Sequence, residues 1–181
     1  MEGRPGRSGR HCLFVGNYLR DFGALDSFVH GLEQGTTVSI ISSCEEAARL
    51  RQRLEFNPVK ARVLFYSGIS DNDFIKLLRN ADVFLLALKD GTANTALLEA
   101  LAAGLAVISF GSYHPFEYLP SKSRLLDRDG EQAASEVEDL FVDPHELEEL
   151  RASARSKAQS LDWSNIVPKL VALYDYVSGA M

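Results

Sequence analysis

One short stretch holds residue types suited to an anionic, hydroxylated ligand. Asp90-Gly91-Thr92-Ala93-Asn94-Thr95 is small and polar, and the helix formers Ala96-Leu97-Leu98-Glu99-Ala100-Leu101-Ala102-Ala103 follow it directly. Asn94 or Thr95 is a good N-cap, and Gly104 is a natural helix stop. Amides at the head of such a helix lack intrahelical acceptors, and with the helix dipole they attract phosphate or carboxylate. Glu99, in the second turn, is close enough to the mouth to accept hydrogen bonds from ligand hydroxyls. The plainer alternative is a helix packed on a sheet with Glu99 in water.

Two apolar runs must position this loop and helix. Val83-Phe84-Leu85-Leu86-Ala87-Leu88 before it has the length and character of a strand buried on both faces. Ala106-Val107-Ile108-Ser109-Phe110 after it reads as the next strand. Upstream, Cys12-Leu13-Phe14-Val15-Gly16 is a short buried strand ending in Gly, with Asn17-Tyr18-Leu19-Arg20-Asp21 as its loop. Leu25, Phe28, Val29 and Leu32 then recur at helical spacing. Arg20 is the candidate cation for a phosphate; the alternative is a surface Arg paired with Asp21. The G-x-G-x-x-G fingerprint is missing, which argues against a dinucleotide site.

The run Thr95-Ala96-Leu97-Leu98-Glu99-Ala100-Leu101-Ala102-Ala103-Gly104-Leu105-Ala106-Val107-Ile108 resembles the "LLEAMA-G-PVI" signature of GT-B glycosyltransferases of the retaining group called family 4. The resemblance implies that Glu99 holds the ribose hydroxyls of a sugar nucleotide. It also implies that the loop and helix amides from Gly91 through Thr92, Ala93, Asn94 and Thr95 hold its diphosphate. Phe65 to Ala87 resembles the segment in which that family lines the nucleobase pocket with backbone groups, at Gly68 and Ile69. The strand-end Gly16 and the basic Arg20 match the first loop of the family's C-terminal domain. Three positions depart from the pattern. A second Glu belongs eight residues before Glu99, where Gly91 stands beside Asp90; Asn17 occupies the first basic place; and Ala87 replaces a usual Pro.

The remaining chain continues the alternation. Thr37-Val38-Ser39-Ile40-Ile41 reads as a strand, with Ser42-Ser43 capping a helix from Cys44 whose Glu45, Glu46, Arg49, Arg51 and Arg53 form a solvated face. Arg62-Val63-Leu64-Phe65-Tyr66 is a third strand, and Asp71 caps the helix bearing Phe74, Leu77 and Leu78. The aromatic loop Gly111-Ser112-Tyr113-His114-Pro115-Phe116-Glu117-Tyr118 borders the expected ligand edge, and Arg124-Leu125-Leu126 is a last short strand. Helical stripes follow at Ala133, Val137, Leu140 and Phe141, then Leu147, Leu150 and Ala154 after Asp143-Pro144, with Pro at the first helical position. A final helix carries Ile166, Val167, Leu170, Leu173 and Tyr174, with Trp163 expected to anchor it on the domain. The fold class is therefore α/β: a Rossmann-like parallel sheet with helices on both faces and a helical C-terminal segment. Residues 1–10, rich in Gly and Arg, read as a disordered lead-in, and residues 11–181 as one nucleotide-sugar-binding domain.

At 181 residues, 46% hydrophobic and 24% charged, the chain has the composition of a globular domain. Its net charge of −6 argues against nucleic acid as a partner. No apolar run approaches the ~18 residues of a membrane span. Cys12 and Cys44 read as reduced thiols of a cytoplasmic protein, and no spacing suggests a metal site. The resemblance covers only the donor half of a GT-B enzyme. It implies metal-independent transfer from a nucleoside-diphosphate sugar, with no further cofactor and with the acceptor bound by another domain or partner chain. No carboxylate stands out as a catalytic base, and an uncovered interdomain face would favour self-association. Two alternatives stay open: a non-catalytic nucleotide-binding or interaction subunit that completes a partner, and half of a GT-B-like sugar-nucleotide epimerase.

Overall fold

The computed structural model describes residues 9–91, 94–127 and 129–178. Strands β1 (His11–Val15), β2 (Thr37–Ile41), β3 (Arg62–Tyr66), β4 (Val83–Leu88), β5 (Ala106–Gly111) and β6 (Arg124–Asp127) form one parallel sheet in the order β3-β2-β1-β4-β5-β6. Helices α1 (Phe22–Gly31), α2 (Glu45–Phe56), α3 (Asp71–Asn80) and α4 (Thr95–Ala102) alternate with the first five strands. Helices α5 (Gly130–Val142), α6 (Pro144–Ser160) and α7 (Trp163–Ser178) close the chain.

Alternation along the strands builds two cores. Cys12, Phe14, Val83, Leu85 and Ile108 face one side, where they meet Leu25 and Phe28 of α1, Leu50 of α2 and Val137 of α5. Leu13, Phe84, Leu86 and Val107 face the other, against Leu78 of α3, Leu97 and Leu101 of α4 and Ala154 of α6. Every residue of β4 and β5 is buried, as expected for central strands covered on both faces. Buried charge is paired at the amino end of the sheet. Asp82 accepts from Arg151 Nη2 at 2.8 Å and from the His11 amide at 3.1 Å.

Several local expectations need correction. Ser70, not Asp71, caps α3, its hydroxyl accepting from the Asp73 amide at 3.2 Å; Asp71 is the first helical residue. Cys44 itself stands at the N-cap of α2 without a side-chain capping bond; the Ser42 hydroxyl accepts from the Cys44 amide at 3.4 Å and donates to Asn17 Oδ1. Asp143 caps α6 with Pro144 behind it, as the sequence indicates. Trp163 does not anchor α7: it is 72% exposed, and α7 contains no buried residue. Its apolar stripe has the period of a packed helix, but among the described residues no surface covers it.

The strand order reverses between β1 and β4, the crevice where ligands of open α/β sheets bind, beyond the carboxyl ends of the strands. The loops after β1 and β4 meet there.

Candidate functional site at the switch point

The loop after β1 is fastened to the end of β4. The Asp21 amide donates to the Ala87 carbonyl at 3.0 Å, the Lys89 amide donates to the Leu19 carbonyl at 2.9 Å, and Arg20 forms an antiparallel bridge with Leu88. Leu19 takes a positive φ of 55° to complete this turn. Arg20 then folds back so that its guanidinium lies over Gly16. Its Nε donates to the Val15 carbonyl at 2.8 Å, and Nη1 to the Tyr18 carbonyl at 3.4 Å. Gly16 is required twice over: its φ is +127°, and a Cβ there would stand 2.5–2.7 Å from the guanidinium. Burial lowers the Arg20 pKa from its ordinary value, yet a guanidinium stays protonated in proteins. Arg20 does not pair with Asp21, which instead caps α1 by accepting from the Ala24 amide at 3.1 Å. Asn17, in the family's basic place, is occupied structurally: its Oδ1 accepts from the Ser42 hydroxyl and the Ser43 amide.

The second wall is the β4–α4 connection. Gly91 has a φ of +143°, and its amide donates to Asp90 Oδ1 at 2.7 Å. Asn94 caps α4, its Oδ1 accepting from the Leu97 amide at 3.2 Å. The far end of α4 closes in a Schellman arrangement: the Leu105 amide donates to Ala100, the Gly104 amide to Leu101, and Gly104 has a φ of +69°. Between the walls lies a cleft of about 550 Å³ lined by Tyr18, Leu19, Arg20, Leu88, Asp90, Gly91, Asn94, Thr95 and Ala96. The cleft thus joins the first free amides of a helix to a fixed guanidinium, a combination suited to a polyanion.

Of the residues expected from sequence, Arg20, Gly91, Asn94 and Thr95 line this cleft, and Gly16 lies directly under Arg20. Thr92 and Ala93 fall outside the described residues. Glu99, Gly68 and Ile69 do not line the cleft. Partial burial, then the charge of Asp71 at the start of α3, raises the Glu99 carboxyl above the usual carboxylate range. Gly68 (φ +61°) and Ile69 immediately precede that helix start. Tyr18, Leu19, Leu88 and Ala96 were not singled out by sequence reasoning. Tyr18 and Leu19 sit in the strand–Gly–loop segment, and their position beside Arg20 was the available signal. The neighbourhood of Asp71 and Glu99 joins residues far apart in the chain, and spacing carries no sign of it.

The aromatic loop after β5 borders the same end of the sheet. The Ser112 and Tyr113 amides both donate to the Leu88 carbonyl, at 2.7 and 3.2 Å. His114 is buried, with Nδ1 2.7 Å from the Ser109 hydroxyl and Nε2 3.2 Å from Asp127 Oδ1. It clamps the loop to β5 and β6, and the full burial of Ser109 excludes that hydroxyl as a nucleophile.

The chain belongs to the glycosyl transferases group 1 family, which matches residues 23–160. No curated protein matches the sequence significantly. Solved structures share the fold at low identity. The pneumococcal O-GlcNAc transferase GtfA, solved with UDP and GlcNAc, superposes with a TM-score of 0.78 at 18% identity, over 95% of this chain and 36% of that one. HepE from Anabaena, solved with UDP-glucose, gives 0.74 at 13%, over 94% and 49%. The catalytic domain of the cholesterol-α-glucosyltransferase from Helicobacter pylori gives 0.71 at 13%, over 85% and 99%. The chain therefore spans about a third to a half of the first two and nearly all of the third, and its architecture is that of a GT-B glycosyltransferase domain.

Proposed function

We propose that this chain is the nucleotide-sugar-binding domain of a glycosyltransferase, taking a nucleoside-diphosphate sugar as donor and relying on another domain or chain for the acceptor. The observation that carries the reading is the convergence of the α4 N-terminus and Arg20 on one cleft at the switch point. In this reading the α4 amides and the Arg20 guanidinium meet the charge that develops on the departing diphosphate. Glu99 accepts hydrogen bonds from the ribose, and the Gly68-Ile69 backbone borders the base. Asp90, held by the Gly91 amide, is the carboxylate nearest the place of the missing outer Glu. That GtfA and HepE were solved with UDP and UDP-glucose supports a uridine nucleotide as the first ligand to try.

The exposed face of α7 supports the need for a second half. Trp163, Val167, Leu170, Val171, Leu173 and Tyr174 are all exposed on one 16-residue helix. A stripe of that kind on a family member spanning part of longer relatives fits a surface that another domain covers. Alone, the domain binds nucleotide and turns over little or none.

A second reading, a non-catalytic subunit completing a partner, is favoured by the commitment of Asn17 to Ser42 and Ser43 where a cation belongs. Calorimetric titration with UDP, GDP and ADP, in wild type and Glu99→Ala, separates the two. Saturable binding of one nucleotide, weakened by the substitution, supports the donor-domain reading. Absence of binding to all three in folded protein overturns it in favour of the subunit.

A further inference from the structure

We infer that Tyr18 is a specificity-determining residue of the cleft, its ring a platform for the apolar face of the donor's sugar. This rests on the reading of the cleft as a nucleoside-diphosphate-sugar site. Tyr18 lines the cleft, yet it is 81% exposed. Among the described residues its hydroxyl has no hydrogen-bond partner and no aromatic ring packs on it. The side chain therefore adds little to the fold, whereas the backbone that carries it is tightly held. The Tyr18 carbonyl accepts from Arg20 Nη1 at 3.4 Å, and the Leu19 carbonyl accepts from the Lys89 amide at 2.9 Å. Leu19, with a φ of 55°, is the one non-glycine residue with positive φ among the described residues. A bulky side chain in that region is strained, and such strain persists only where the surroundings fix it. The loop thus presents a large, stiff ring that loses little freedom when a ligand covers it.

The rest of the lining points to the part of the ligand that covers it. With the diphosphate between the α4 amides and Arg20, the nucleoside runs out of the cleft, because Glu99, Gly68 and Ile69 do not line it. The group on the other phosphate stays inside. A cleft of about 550 Å³ has the size of a small-molecule pocket and holds more than a diphosphate. Apart from Arg20 and the head of α4, its lining is Tyr18, Leu19 and Leu88, with Asp90 and Gly91 beside them. That is an apolar surface with one carboxylate. A hexose has the matching character, C–H groups across a face and hydroxyls around the rim. An aromatic face takes the first and leaves the second to polar groups. Tyr18 stands two residues from Arg20 on the same loop, so the ring and the guanidinium are set for neighbouring parts of one ligand.

The test is calorimetric titration of wild type, Tyr18→Phe and Tyr18→Ala with matched pairs, UDP with UDP-glucose, GDP with GDP-mannose and ADP with ADP-glucose. Thermal melts run alongside, and at so exposed a position both variants keep the melting temperature of wild type. For the pair that binds, Tyr18→Ala is expected to weaken the sugar nucleotide about 10-fold while the bare nucleotide is unaffected. Tyr18→Phe, which keeps the ring and loses the hydroxyl, should bind both members of the pair as wild type does. Equal affinity of wild type and Tyr18→Ala for the sugar nucleotide would overturn the role of Tyr18 and leave the nucleotide site standing. So would a loss shared equally by nucleotide and sugar nucleotide, or a loss in Tyr18→Phe as large as in Tyr18→Ala. Binding of no member of any pair to folded wild type overturns the donor-domain reading, and the role of Tyr18 with it.

Discussion

Asp71, the first residue of α3, lies close enough to Glu99 on α4 for its charge to raise the Glu99 pKa, on top of the larger effect of burial. Glu99 is exposed, so the disfavoured charge costs the fold little, and the carboxylate stays open to a ligand with hydroxyl donors.

The first prediction follows from that pair. The folded pKa of Glu99 lies above its unfolded value of about 4.3. The associated stability is therefore present below about pH 4 and lost as pH rises through the folded pKa. At neutral pH charged Glu99 is a small cost, reduced by solvent screening at this exposed position, so Glu99→Gln should melt slightly higher than wild type at pH 7, with the gain shrinking in acid. The same substitution should weaken nucleotide binding by about 10-fold or more, since charge-assisted hydrogen bonds contribute about 1.5–3 kcal/mol. Melts from pH 4 to 8 beside a titration check both halves; a lower melting temperature at pH 7 contradicts the first.

Gly16 and Gly68 both have positive φ, but only Gly16 has the Arg20 guanidinium where a Cβ would go. Gly68→Ala meets nothing within 4 Å and should cost about 1 kcal/mol of backbone strain. Gly16→Ala carries more strain, because a φ of +127° lies outside the left-handed well that Gly68 occupies, and it also displaces Arg20. It should be the less stable of the two by chemical denaturation and should lose most nucleotide affinity. Equal behaviour of the two variants would show that the packing of Arg20 on Gly16 is unimportant.

The open face of α7 should make the domain associate with itself. Sedimentation over a concentration series is expected to show dimers or larger species at high concentration. Val167→Lys with Tyr174→Glu, both at exposed positions, should return the chain to monomer with little change in thermal midpoint. A monomer throughout in wild type counts against a surface that needs covering.

At the opposite end of the sheet, Arg151→Met leaves the buried Asp82 carboxylate with the His11 amide but without its guanidinium. Loss of about 3 kcal/mol or more in stability is expected, because one partner of a buried pair is removed. Asp82→Asn in the same background should recover part of it, as seen in urea midpoints. Nucleotide binding by the protein that remains folded should be unchanged.

The fold was legible because the strands that matter are unambiguous. Val83–Leu88 and Ala106–Phe110 are continuous apolar runs, and Thr37–Ile41 and Arg62–Tyr66 form strands with the bounds their composition suggests. The head of α4 was legible too, since Asn94 and Gly104 carry the chemistry of the two caps. What failed was three-dimensional. Ser70 displaced Asp71 as a cap because its hydroxyl accepts from the Asp73 amide, leaving Asp71 as the first helical residue, from which its charge acts on Glu99 of another helix. The stripe of α7 has the period of a core helix, and periodicity does not say whether the surface it would meet belongs to the same fold. Arg20 looked equally able to pair with Asp21, and the outcome turned on the Val15 carbonyl and the missing Cβ of Gly16.

The bridge between Arg20 and Leu88, with its flanking bonds from Asp21 to Ala87 and from Lys89 to Leu19, makes the loop after β1 an extension of the sheet. Its backbone amides should then exchange with solvent on the slow timescale of β4 rather than the fast one of a surface loop. One jaw of the cleft is a rigid stop, so any narrowing around a ligand has to come from the other side, toward Gly91 and Asn94. In mechanical terms the fold supplies an anvil at Arg20, and any movement that ligand binding requires is borne elsewhere.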